Sequence, residues 1–132
     1  MAVVLDTCAW VWRCSSPTKL STAAAAAVAR EKRGGGLVVS VFSCWEVAKL
    51  VQKRKLRFSI PCREWLEEAV RADGVTLHPL TLEICLASTE LPGAFHGDPA
   101  DQIIVATARA LSLPVVTSDR KILDYPHVQT IW

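Results

Sequence analysis

Five carboxylates fall where an apolar run gives way to a helix: Asp6, Glu46, Asp98, Asp101 and Asp119. Asp6 directly follows Val3 to Leu5, and Asp119 follows Val115 to Thr117 after one further residue, Ser118. Asp98 and Asp101 open a helix, and Glu46 lies in the first turns of another that follows a second apolar run. Each alone reads as a cap or turn residue, because short carboxylates satisfy the free N–H groups of a first turn. Together they conflict in that role, since carboxylates drawn to one place repel and raise each other's pKa. A hard divalent cation removes the conflict: Mg²⁺ and Mn²⁺ take oxygen ligands, and Mg²⁺ commonly bridges a few carboxylates to a phosphate. The chemistry implied is phosphodiester hydrolysis by an activated water.

The elements that must position these acids can be read from the pattern. Val3 to Leu5, Leu37 to Val39, Val75 to Leu77, Val115 to Thr117 and Val128 to Ile131 read as short strands. Helices are predicted from about Ser21 to Arg33, ended by Gly34-Gly35-Gly36, from Pro61 to Ala72 and from Thr81 to Glu90. Ser43 stands three residues before Glu46, the spacing of a capping box, ahead of a helix to about Lys55. Asp98 is placed to cap a helix from Pro99 to Leu111. Val105 and Ala108 continue the helical face of Asp101, so that carboxylate lies along a surface that must pack on the sheet. Strands apolar along their length, alternating with helices, predict one α/β domain over residues 1–132, with a mostly parallel sheet of four to five strands and helices on both faces. Such domains build their sites at the carboxyl ends of the strands, near a topological switch point.

Composition narrows the class further. The 132 residues are 51% hydrophobic and 21% charged, with a mean hydropathy of +0.26, which excludes disordered and low-complexity readings. Apolar windows such as Ala23 to Ala29 are too short for a membrane span, and the N-terminus lacks the basic stretch of a signal peptide. The expectation is a cytoplasmic protein that does not enter the membrane. Five cysteines form no CxxC pair, and His78, His96 and His127 lie far from any pair that could chelate zinc with them. The cysteines read as small, buried, free thiols.

A net charge of +2 is too small to identify a nucleic-acid binder by itself. Its distribution says more. Lys49, Lys53, Arg54, Lys55 and Arg57 form an acid-free stretch after Glu46, and Lys49 and Lys53 share the helical face of Glu46. That face offers ammonium groups to a polyanion backbone lying beside the acids. The competing reading is that Lys49 pairs with Glu46 and the others are solvated.

Four segments carry a family resemblance: Val-Leu-Asp6-Thr7; Val-Ser-Val-Phe-Ser-Cys-Trp45-Glu46-Val-Ala; His96-Gly-Asp98-Pro-Ala-Asp101-Gln-Ile-Ile-Val-Ala-Thr-Ala; and Val-Val-Thr117-Ser-Asp119. In this order the sequence resembles a PIN domain, specifically the toxin ribonucleases of VapBC-type toxin–antitoxin modules, over essentially the whole chain. The resemblance implies a PIN-like three-layer fold whose acidic pocket holds Mg²⁺ or Mn²⁺ through Asp6, Glu46, Asp101 and Asp119. It makes Asp98 an accessory acid and Thr7 and Thr117 polar neighbours. It further implies an endoribonuclease that acts as a homodimer or in a higher toxin–antitoxin assembly, neutralised by a VapB-type antitoxin peptide laid across the groove. Many relatives carry His in place of Cys8 and Arg in place of Gln102; neither position matches a metal-binding acid.

Other phosphoryl-transfer domains on similar sheets fit less well. A haloacid-dehalogenase-type phosphatase needs Asp where Cys8 stands, a receiver domain needs an acid where Thr7 stands, and no phosphate-binding glycine loop opens a helix. The alternative of another class is a catalytically inactive PIN fold that only binds RNA or a protein, against which the full acid set argues. Trp10, Trp12 and Arg13 could line an antitoxin groove, with core packing as the competing explanation of the tryptophans.

Overall fold

Val3–Leu5 is buried at every residue and forms strand β1; a strand with no polar side belongs in a sheet covered on both faces. The computed structural model describes all residues 1–132. After β1 come α1 (Thr7–Ser15), α2 (Thr22–Glu31), β2 (Leu37–Ser40), α3 (Val41–Gln52), α4 (Cys62–Val70) and β3 (Val75–His78). The chain continues through α5 (Leu82–Thr89), α6 (Pro99–Leu111), β4 (Val115–Val116), α7 (Arg120–Leu123) and β5 (Thr130–Ile131). The five strands lie in the order β3-β2-β1-β4-β5, and every pairing is parallel.

Side-chain alternation along each strand divides the core. Val3, Leu5, Leu37, Val39 and Val116 face α1, α2, α3 and α4 through Trp10, Ala24, Ala27, Val47 and Trp65. Val4, Val38 and Val115 face α6 through Ile104 and Ala108. Outside α6 lie α5, packed through Ile84 against Ile103 and Ala106, and α7, whose Ile122 meets Val105. The three-layer reading therefore holds, with α6 sandwiched between the sheet and two further helices.

Local chemistry accounts for the helix ends and for several corrections. Ser40, the last residue of β2, accepts the Phe42 N–H through its hydroxyl and caps α3. The helix therefore starts at Val41, before the expected capping box, and Ser43 lies buried within it. It ends at Gln52, short of the expected Lys55, and Arg54 turns into the left-handed region at φ 58°. The Ala-rich helix is capped by Ser21 and stops at Glu31; Gly34, at φ 69°, turns the chain there at no Cβ cost. The helix from Pro99 to Leu111 has the predicted bounds, with Asp98 as its cap. The last strand is confined to Thr130–Ile131.

The cysteines are free, as expected, but not buried as expected: Cys8, Cys14 and Cys85 are exposed and Cys44 and Cys62 half-buried. Trp10 is fully buried, set edge-on to Trp65 at 5.5 Å, which stacks on Phe58 at 4.2 Å. Trp12 is half-buried and leans on Trp132, so core packing accounts for Trp10. No helix is long and apolar enough to cross a membrane.

Candidate active site

Chain order reverses beside β1: the first crossover leads to β2 on one side, and the later one reaches β4 on the other. The crevice beyond the carboxyl ends of β1 and β4 is where such sheets bind ligands. Asp6 stands directly after β1 and Asp119 three residues after Val116, the end of β4, so the topology delivers both to this crevice.

Asp6 is 6% exposed and caps α1: its Oδ1 accepts the Ala9 N–H at 2.8 Å. Oδ2 accepts from the Thr117 hydroxyl, and the Thr117 oxygen in turn accepts the Asp119 N–H at 3.0 Å. Asp119 caps α7 through the Lys121 N–H. Asp98 caps α6 by accepting the Asp101 N–H at 3.1 Å. The capping interpretation is thus correct for Asp6, Asp98 and Asp119, and it is also how the fold aims them. Glu46 caps nothing; it stands on α3 beside α1, where the Thr7 hydroxyl donates to Ser43 Oγ at 3.0 Å.

The electrostatics reveal which acids share one space. Burial chiefly pushes Asp101 up to about 7, and Asp98, Asp119, Glu46 and Asp6 all add to the rise. Asp6 rises to about 6, again chiefly by burial, with hydrogen bonds from Thr117 and Ala9 opposing it and Asp119 and Glu46 reinforcing it. Glu46 is raised by burial, partly offset by Thr7 and reinforced by Asp98. The Cys8 thiol, exposed at its rim, is pushed up to about 11 by the protein packed around it and then by Asp6, Glu46, Asp101 and Asp119 together. Cys8 therefore sits among the four acids that the family resemblance assigns to the metal.

Lys49, one turn beyond Glu46, donates to Gln52 at 3.0 Å and lies 5.7 Å from the Trp45 ring centroid, so it does not pair with Glu46. Lys53 follows α3 as its C-cap and is exposed. Two residues at the site escaped the sequence reading. Ser43, read as a cap, is a buried partner of Thr7. His96 places Nε2 3.3 Å from Asp101 Oδ2; its only sequence signal was its position just before Asp98 and Asp101.

The donor set suits a hard cation. The acids are carboxylates with little to neutralise them, and a thiol held near 11 in their midst is a poor soft ligand. No three His, Cys, Asp or Glu side chains are already gathered at chelating distance; the acids share a field without touching.

A parallel α/β sheet with an acidic crevice at its switch point defines the class to which this chain belongs. The PIN domain profile matches residues 3–128, and the chain is a member of the PIN-domain family. It is 32% identical over 132 residues to Ribonuclease VapC22 of Mycobacterium tuberculosis, covering 98% of each chain. Its fold is shared with VapBC2 from Rickettsia felis bound to a promoter DNA fragment, at a TM-score of 0.72 and 14% identity over 98% of this chain and 97% of that one. A toxin–antitoxin complex from Klebsiella pneumoniae superimposes at a TM-score of 0.65 and 17% identity, covering 96% and 95%. FitAcB from Neisseria gonorrhoeae gives 0.63 and 17%, covering 97% and 95%.

Proposed function

We propose that this chain is a metal-dependent endoribonuclease and the toxin of a VapBC-type pair, with Asp6, Glu46, Asp101 and Asp119 holding Mg²⁺ or Mn²⁺. The observation that carries this is the shared field of the four acids at the β1–β4 crevice, two of them raised well above ordinary carboxylates. A purely binding surface for RNA would gain nothing from such a cluster, because phosphates are repelled by it.

A bound cation supplies charge that neutralises the acids and stabilises the anionic transition state of phosphodiester hydrolysis. The chain's own part is orientation. Thr117 fixes the Asp6 carboxylate from one side and the Ala9 N–H from the other. Asp98 anchors the first turn of α6 and so the backbone of Asp101. Thr7, tied to Ser43, holds the start of α1 against α3, the helix that carries Glu46. Lys49 and Lys53 lie where an RNA backbone approaching over α3 would meet them. A groove of about 270 Å³, lined by Phe95, His96, Lys121 and Tyr125, offers a path on the other side.

Resemblance to ribonuclease VapC22 supports the substrate class, and the toxin–antitoxin complexes sharing this fold support a VapB-type partner. Large apolar side chains left exposed on α3 (Val41, Trp45), the β3 edge (Leu77) and α5 (Leu82, Leu86) support a homodimer face. The near-neutral net charge and lack of a spanning helix fit a cytoplasmic site of action.

The test is cleavage of total RNA by purified protein with Mg²⁺ or Mn²⁺, beside EDTA, Asp6→Asn and Asp101→Asn controls. Loss in all three controls is expected; cleavage that persists without metal or in both variants overturns the proposal. RNA retained but left intact by the wild type identifies a binding module instead. Expression alone should arrest growth, with rescue by the neighbouring upstream open reading frame.

A further inference from the structure

We propose that His96 is a positioning residue whose ring N–H faces Asp101 and fixes the orientation in which that carboxylate meets a cation; the inference rests on the metal site proposed above. The Nδ1 atom of His96 accepts the Asp98 N–H at 3.3 Å. Its lone pair is thereby engaged, and the ring proton belongs on Nε2. Nε2 is buried and makes no aligned hydrogen bond, yet it stands 3.3 Å from Asp101 Oδ2. A buried donor with one acceptor in reach serves that acceptor.

The backbone that carries the ring is held as well. Gln102, one turn along α6, donates to the His96 carbonyl at 3.1 Å. On the other side Phe95 lies 4.3 Å from the His96 ring and 4.8 Å from Tyr125. Tyr125 is 4% exposed, and its hydroxyl donates to the Pro92 carbonyl. The segment from Pro92 to Asp98 is thus tied to the chain after α7 at one end and to α6 at the other. Turning the ring away from Asp101 would give up the Asp98 N–H on Nδ1 and the packing on Phe95. Partners that orient a metal-ligating side chain in this way ordinarily contribute to affinity as well as to activity.

The experiment is a calorimetric Mn²⁺ titration of the full-length protein and its His96→Ala, His96→Gln, His96→Asn and Asp101→Asn variants, with circular dichroism to establish that each is folded. His96→Ala is expected to bind Mn²⁺ about 10–100-fold more weakly. His96→Gln, whose amide nitrogen takes the place of Nε2, should recover to within about threefold of wild type. His96→Asn keeps an acceptor near Nδ1 but loses the donor, and should stay as weak as His96→Ala. Recovery by Asn and not by Gln would mean that His96 acts only through its loop, and the inference fails. If Asp101→Asn weakens Mn²⁺ binding while the His96 variants bind as wild type, the inference fails and the metal site stands. If Asp101→Asn itself binds Mn²⁺ normally, the metal site fails and this inference with it.

Discussion

The Thr117 hydroxyl donates to Oδ2 of Asp6 across 111 positions of sequence, while its oxygen accepts the Asp119 N–H. One fully buried side chain thus ties the acid after β1 to the acid after β4. It also opposes the rise in the Asp6 pKa that burial imposes.

Thr117→Val keeps the shape of the side chain and removes this link. Leaving the ionised Asp6 Oδ2 buried without its donor should cost about 1–3 kcal/mol, measured by urea unfolding in EDTA above neutral pH, and less below about pH 6 where Asp6 is protonated. RNA cleavage should fall on the order of tenfold or more, with its acid limb moved to higher pH. Unaltered cleavage with unaltered pH dependence would show that Thr117 does not orient Asp6.

Metal-free stability should fall as pH rises. Folded Asp6 holds its proton to about 6 and folded Asp101 to about 7, against 3.8 for each in the unfolded chain. Below about pH 4 both states are protonated and no penalty exists; between about pH 4 and 7 the unfolded chain releases protons first, and the fold loses stability. For Asp6, almost fully buried, this is on the order of 3 kcal/mol, and Asp101 adds in the same direction. In EDTA at about pH 7.5, Asp101→Asn should therefore melt above wild type, the gap closing near pH 4. Saturating Mn²⁺ should reverse the order, because only the wild type gains full binding energy. The same pH dependence of stability in wild type and Asp101→Asn without metal would contradict the shared field.

Cys8 reports on the same field through its reactivity. With its thiol near 11, about one part in a thousand is thiolate at pH 8, so alkylation should be slow despite its exposure. Peptide mapping after brief iodoacetamide treatment should find Cys8 modified about tenfold more slowly than exposed Cys85, and faster in Asp101→Asn. Equal rates in wild type and variant would remove Asp101 from its surroundings.

Lys49 and Lys53 bear on RNA affinity and not on the chemical step. In an Asp101→Asn background that binds without cutting, Lys49→Ala should lower the slope of log affinity against log salt by about 0.7, and so should Lys53→Ala. A slope left in place by both changes would put the RNA elsewhere.

The amino-acid pattern was sufficient for the scaffold because its signals are local. Val3 to Leu5 and Leu37 to Val39 have no polar side, which in a chain alternating with helices leaves little but a two-faced parallel sheet. Asp98-Pro99 marks the start of α6 through a cap and a fixed φ, and that boundary agrees to the residue. The same local rule misled at Ser43 and Glu46. Ser40 competed for the cap and won, because the last residue of β2 already stands where the first free N–H groups of α3 point.

The acids themselves were visible in the sequence, each at the end of its own element. That they share one field depends on strand order: the connection after β1 leads to β2 on one side, and the connection after β3 passes both strands to set β4 against β1 on the other. Thr117 bonding to Asp6 and His96 facing Asp101 belong to this second kind of information. Contacts between residues that no helical or strand period relates are decided by packing, and side-chain identity alone does not encode which pair will meet.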